Sequence, residues 1–152
     1  TDRYCALLYL DLDNFKPLND AYGHGAGDML LIEVAHRLRR CVRETDTVAR
    51  VGGDEFVVML GELDEEAPVS QAQALDVARK VIESLSQPYQ LTLKHRGIEQ
   101  QIVHRCTASI GMALFVGDSA DIDAVLMSAD KAMYDAKEAG GNVIRFAPAA
   151  AP

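Results

Sequence analysis

Residues 4–13, YCALLYLDLD, are apolar almost without interruption until two acids close the run. Such a stretch predicts a strand buried on both faces at the centre of a sheet. The segment 27–42, GDMLLIEVAHRLRRCV, repeats its apolar residues at helical spacing. Leu30, Val34, Leu38 and Cys41 fall on one face and the basic residues on the other, which predicts an amphipathic helix. TVARV (47–51) and EFVVML (55–60) predict two strands, joined as a hairpin through Gly52 and Gly53. An acidic loop, 62–70, precedes a helix over 73–85 with Leu75, Ala78, Ile82 and Leu85 inward. YQLTLK (89–94) and IVHRCTASIGMALF (102–115) predict strands around His95-Arg96-Gly97. In the second, Cys106, Ala108, Ile110, Met112 and Leu114 alternate with smaller or polar residues. Residues 121–140 predict a long helix with Ile122, Val125, Ala129, Met133 and Ala136 inward and a Gly-Gly stop. A short strand, NVIRF, and a tail, APAAAP, complete the chain. The order β-α-β-β-α-β-β-α-β predicts an α/β (α+β) fold, a mostly antiparallel central sheet flanked by helices. Without repeats or a long linker, residues 1–146 read as one domain and 147–152 as a disordered tail.

Composition narrows the class. The 152 residues are 49% hydrophobic and 25% charged, the profile of a globular domain with a core of its own. No apolar run approaches the roughly 18 residues of a membrane span, and the first residues lack the form of a signal peptide. A strand starts almost at once, which predicts a fragment of a longer protein. Fifteen basic against 23 acidic residues leave a net charge of −8, which argues against a general nucleic-acid binder. Cys5, Cys41 and Cys106 are odd in number and lie in apolar segments. They read as buried reduced thiols in a cytoplasmic protein, whether or not the parent is membrane-anchored.

Chemistry gathers at two places. Asp11 and Asp13 end the first strand and, two residues apart, point the same way. In RVGGDEF, the glycines of the hairpin tip let a ligand approach closely, and Asp54 and Glu55 follow. Pairing of the hairpin beside the first strand would bring Asp54 to Asp11. Carboxylates gathered there repel one another unless a cation joins them, and oxygen-only ligands favour Mg²⁺ or Mn²⁺ shared with phosphates. On its own, Gly-Gly-Asp-Glu reads equally as a turn with solvated acids.

RVGGDEF resembles the signature of the GGDEF family, the diguanylate cyclase catalytic domains. LDLDNFKPLNDAYGHGAGDMLL, ASIGMALF and ADKAMYDAKEAGGN resemble its other blocks in order and spacing, over about residues 5 to 146. The family's usual short N-terminal helix is not evident. The resemblance implies a palm-like fold related to nucleotidyl cyclase catalytic domains. It also implies condensation of two GTP into cyclic di-GMP and two pyrophosphates, with Mg²⁺ (or Mn²⁺), in a homodimer. By position, Asp11, the carbonyl of Leu12, Asp54 and Glu55 would hold metal. The catalytic roles would fall on the pair Asp54 and Glu55, with Asp54 as base. Asn19 and Asp28 would read guanine, and a buried Asp28 would discriminate against ATP; read alone, Asp28 is a helix N-cap. His24 would lie near ribose or base, and Lys16 and Lys137 would contact phosphate, with backbone N–H groups of 15–18 assisting.

Gly141 departs from the pattern, since the family commonly has arginine there; Arg145 is the nearest basic residue. Arg43 and Asp46 match the family's inhibitory RxxD motif, with Arg79 or Lys80 completing a product site. Arginine suits both bidentate bonding and stacking on purines, although an Arg and an Asp three apart often form a surface pair. Arg50 reads as structural. The implied partners are GTP, cyclic di-GMP, a second copy and regulatory domains elsewhere in the parent, with no nucleic acid. The competing reading is a catalytically weak or inactive regulatory module that binds GTP or cyclic di-GMP.

Overall fold

The computed structural model describes residues 3–22, 24–117 and 120–148. The elements run β1 (Tyr4–Asp13), α1 (Phe15–Tyr22), α2 (His24–Cys41), β2 (Thr47–Gly52), β3 (Glu55–Leu60), α3 (Ala67–Leu85), β4 (Tyr89–His95), β5 (Ile98–His104), β6 (Thr107–Val116), α4 (Ile122–Glu138) and β7 (Ile144–Phe146). Five strands form one sheet in the order β2-β3-β1-β6-β7, antiparallel except for the parallel pair β6-β7. The hairpin β4-β5 stands apart as a second small sheet. No described helix is long and apolar enough to cross a membrane.

β1 is central, and both its faces are covered, as its unbroken apolar run predicts. Leu8, Leu10 and Leu12 join Leu30, Val34 and Leu38 of α2 and Ala74, Ala78, Val81 and Leu85 of α3 in the larger core. Leu7 faces the other way and packs with Val57, Ala113 and Ala129 beneath α4. That second layer is thin because α4 lies almost on the sheet. A Cβ placed on Gly111 would stand 2.0 Å from the carbonyl oxygen of Ala129, so only glycine lets helix and strand meet there.

Several expectations need correction. The sequence pattern assigned no element to residues 14–22, where α1 forms; Pro17 lies in its first turn, and a proline there costs no helical bond. Asn14, at φ 64°, makes the corner into it. α2 therefore begins at His24 rather than 27, and α3 at Ala67 rather than 73, with proline again in its first turn. Its buried face is Ser70, Ala74, Ala78, Val81 and Leu85, and Leu75 and Ile82 are only half-buried. The run 102–115 is two strands of different sheets, broken at Arg105 and Cys106. On α4, Ile122 is exposed and Val125 half-buried, while Ala132 joins Ala129, Met133 and Ala136 inside. Cys106 is buried, but Cys5 and Cys41 are half-exposed; all three are free thiols. Ordered pairing passes residue 146: the Ala147 N–H donates to Met112 O at 2.7 Å. Residues 149–152 of the expected tail lie outside the described residues.

Candidate functional site

The antiparallel pairing of β1 with β3 sets Asp11 opposite Glu55, and the Leu12 N–H donates to the Asp54 carbonyl at 3.2 Å. The hairpin tip is thus sewn to the end of β1. Tyr9, Asp11 and Asp13 share the α4 face of β1, because side chains alternate along a strand. The Tyr9 hydroxyl donates to Glu55 Oε2 at 2.9 Å. Burial, then Glu55, push its pKa up to about 12.

Asp11 and Asp13 behave differently. Oδ1 of Asp11 is buried without a hydrogen-bond partner. Lys137 Nζ stands 3.4 Å away, a charge contact rather than a directed bond. Burial, then the adjacent Asp54 carboxylate, push Asp11 up to about 7 against the pull of Lys137. Asp13 is satisfied. It accepts from Thr107 Oγ1 at 2.6 Å, Ser109 Oγ at 2.9 Å, Lys137 Nζ at 3.1 Å and the Asn142 N–H at 3.1 Å. Burial would raise its pKa, but these hydroxyls and the ammonium hold it below the ordinary carboxylate value. Lys137, from α4, also reaches the Leu12 carbonyl at 3.4 Å. Burial would lower this lysine, yet Asp11 and Asp13 keep it above its usual value.

The site is built for a cation as far as its donors go. An orphaned buried carboxylate oxygen beside a second carboxylate is costly without positive charge. Among the described residues no three His, Cys, Asp or Glu side chains gather closely enough to cage a metal alone. A hard divalent ion at Asp11, Asp54 and the Leu12 carbonyl would therefore keep positions for water or phosphate oxygens, which suits Mg²⁺. Just beyond, the first turn of α1 leaves the N–H groups of Phe15 and Lys16 without helical partners, since Pro17 has none to offer.

The remaining predicted residues are dispersed. Asp28 lies inside α2, so it is no N-cap, and it is exposed rather than buried. The side chains of Lys16, Asn19 and His24 lie outside the described residues; their backbones sit in α1 and at the start of α2. Beneath that corner a cavity of about 510 Å³ opens between Ala21, Gly25 and Met29 and the β4-β5 hairpin. A larger one, about 710 Å³, lies at the opposite end of β1 near Tyr4, Leu114 and Phe146, away from the acids. Gly141 takes φ +78°, and a Cβ there would stand 2.9 Å from Asp13 Oδ2. Arg145 is exposed on β7 and, among the described residues, its side chain donates to the Ile144 carbonyl.

Arg43 and Asp46 form a closed pair. Nη2 of Arg43 donates to Asp46 Oδ1 at 3.1 Å and also to the Gly61 carbonyl, while the Arg43 N–H and Nε reach Oδ2. Burial would raise Asp46, but these bonds and the Gly61 N–H hold it below its usual value. Burial pushes the neighbouring Cys41 thiol up, opposed first by Ser84 and then by the charges of Lys80 and Arg40. Sequence reasoning left Tyr9 unassigned; its polar group among apolar neighbours, two residues before Asp11, was the available signal.

A family model described as "Diguanylate cyclase, GGDEF domain" matches residues 1–143. The bifunctional diguanylate cyclase/cyclic di-GMP phosphodiesterase MucR of Pseudomonas aeruginosa is 47% identical over 141 residues, 93% of this chain and 18% of that protein. The chain spans between 18% and 33% of the length of three curated relatives. The crystal structure of the GGDEF domain of TpbB (YfiN) from the same organism superposes with a TM-score of 0.81 at 38% identity, over 97% of this chain and 84% of that one. The GGDEF domain of DgcB from Caulobacter crescentus, solved in complex with c-di-GMP, gives 0.75 at 28% identity, over 95% and 78%.

Proposed function

Because the chain belongs to the GGDEF domain family of diguanylate cyclases, we propose that it condenses two GTP into cyclic di-GMP and two pyrophosphates as a Mg²⁺-dependent homodimer. The observation that carries this reading is the buried, unpartnered Asp11 Oδ1 set against Asp54 at the end of β1. Two carboxylates forced together in partial burial hold on to a proton or take up a cation, and a divalent ion relieves them without protonation.

In this reading each 3′-oxygen attacks the α-phosphorus of the GTP held by the other subunit and expels pyrophosphate. Asp11, the Leu12 carbonyl, Asp54 and Glu55 hold Mg²⁺ (or Mn²⁺), which when bound offsets phosphate charge and eases ionisation of the 3′-hydroxyl. The chain's own residues do the rest. Asp54 takes the 3′-hydroxyl proton. Tyr9 fixes the orientation of Glu55. Lys137 and the open N–H groups of α1, joined by Lys16, hold phosphate oxygens. Asn19 and Asp28 read guanine and His24 lies by the ribose; the exposure of Asp28 puts that edge where a base can reach it. Arg43 and Asp46, with Arg79 or Lys80, form a product site that slows the enzyme, and Arg43 must first open from its pair. Regulatory domains of a longer parent set the dimer. A second reading, a GTP- or cyclic di-GMP-binding module without turnover, is favoured by Gly141, which replaces the arginine common in the family in a turn at φ +78° that crowds the Asp13 carboxylate.

The test is to incubate concentrated protein with GTP and Mg²⁺ and identify products by mass. Cyclic di-GMP from the wild type and none from Asp54→Ala is expected. Tight nucleotide binding without product, even after fusion to a dimerising coiled coil, would favour the second reading; no binding of either nucleotide would sink both.

A further inference from the structure

We propose that Asp13 is the positioning residue of Lys137: it retains the lysine ammonium at the end of β1 once a cation and a triphosphate take Asp11. This rests on the function proposed above. Lys137 Nζ lies 3.1 Å from Asp13 Oδ1, 3.4 Å from Asp11 Oδ1 and 3.4 Å from the Leu12 carbonyl. Two of those three acceptors are the atoms assigned to the cation. Two positive charges on the same oxygens repel, so cation entry strips Lys137 of Asp11 and Leu12. Asp13 is the one partner left to it among the described residues.

Asp13 is suited to that role and unsuited to metal ligation. A carboxylate has roughly four lone-pair sites, and all are taken. Oδ2 accepts from Thr107 and Asn142, and Oδ1 from Ser109 and Lys137. Three of these donors belong to β6 and to the turn after α4, so the carboxylate cannot rotate to follow another ion. Gly141 adds to the restraint: its turn presses on Asp13 so closely that a Cβ would stand 2.9 Å from Oδ2. A fixed anion holds its lysine in one place, which is what preorganised phosphate binding requires. Asp11, two residues earlier on the same face, keeps the open oxygen. The DLD segment thus divides its work, with one acid for the incoming cation and one for the resident ammonium.

The experiment is a double-mutant cycle read as affinity for 3′-deoxy-GTP with Mg²⁺, a probe that binds but lacks the attacking hydroxyl. Asp13→Asn and Lys137→Met are each expected to weaken binding about tenfold, the scale of one charge-assisted hydrogen bond. The double variant should lose no more than Lys137→Met alone. Ser70→Ala, which removes a buried bond from Ser70 Oγ to the Asp64 carbonyl at 2.7 Å, should lower Tm and leave affinity unchanged. Asp13→Glu, which keeps the charge but moves it by one methylene, covers the case in which Asp13→Asn fails to fold and should weaken binding likewise. Additive losses in the cycle, or unchanged affinity in both folded Asp13 variants, would overturn the proposal while leaving the cyclase reading intact. A wild type that does not bind 3′-deoxy-GTP would overturn both.

Discussion

Asp11, Asp13 and Asp46 show how a carboxylate's neighbours decide its work. Asp11 meets another carboxylate and an ammonium 3.4 Å away, its pKa is pushed up to about 7 by burial and Asp54, and its Oδ1 stays open to a cation. Asp46 is enclosed: its side chain is 3% exposed and ringed by donors from Arg43 and Gly61. Its folded pKa lies below the ordinary 3.8, so the pair contributes stability above that pH and loses it as pH falls through the folded value. Asp46→Asn should therefore lower stability by about 2 kcal/mol at pH 7, the scale of hydrogen bonds to a charged group. The gap between variant and wild type should close as pH drops below about 4. Thermal melts of both proteins across pH read this directly, and a gap that does not change with pH would show that the lost contribution is not the carboxylate's charge.

At the scale of elements, Arg37 teaches most. The 3.6-residue pattern of α2 assigned every basic residue to solvent, yet Arg37 is only 9% exposed. Its guanidinium donates to the carbonyls of Ser84, Gln87 and Pro88, each at 2.8 Å, and lies 3.7 Å over the Tyr89 ring. It thereby ties α2 to the last turn of α3 and to the segment that leads from it into β4. Arg37→Ala should cost about 3 kcal/mol in urea unfolding, since it strips charged bonds and a cation–π contact together, and Arg37→Lys should recover only part because ammonium lacks the fork. A loss under about 1 kcal/mol would mean that water replaces those bonds at little cost. Such a role cannot be read from periodicity, because it depends on a chain segment some fifty residues away. In the central sheet, β1, β2, β3 and β7 were legible from local pattern alone, as was the approach of Asp54 to Asp11 once β1 and β3 pair, whereas β6 was run together with β5 because the break at Arg105 and Cys106 carries no glycine or proline. The missed boundaries, α1 and the start of α3, share one cause: a proline that reads as a breaker is harmless in a first turn. The Tyr9 to Glu55 bond escaped notice because it is diagonal across two strands, and cross-strand partners follow only from register.

For the whole molecule, the decisive property is that the carboxylate site lies at the end of the sheet, beside the hairpin and the first turn of α1. The larger cavity, about 710 Å³, is at the other end of β1, away from the acids. In the proposed reaction each GTP supplies the nucleophile for the other, so a site at the sheet edge would be completed by a second copy. Turnover should then depend on meeting. Below the dimer dissociation constant, the rate per mole of protein should rise in proportion to protein concentration, and fusion to a parallel coiled coil should remove that dependence by raising the effective concentration of the partner. Mixing Asp54→Ala with wild type should poison activity beyond simple dilution, because a mixed dimer holds one competent half. The measurement is cyclic di-GMP formation over a dilution series, with and without the fusion. A rate per mole that is constant across the series and unaffected by the inactive variant would mean that one copy completes the site, and the sheet edge would then need a different partner.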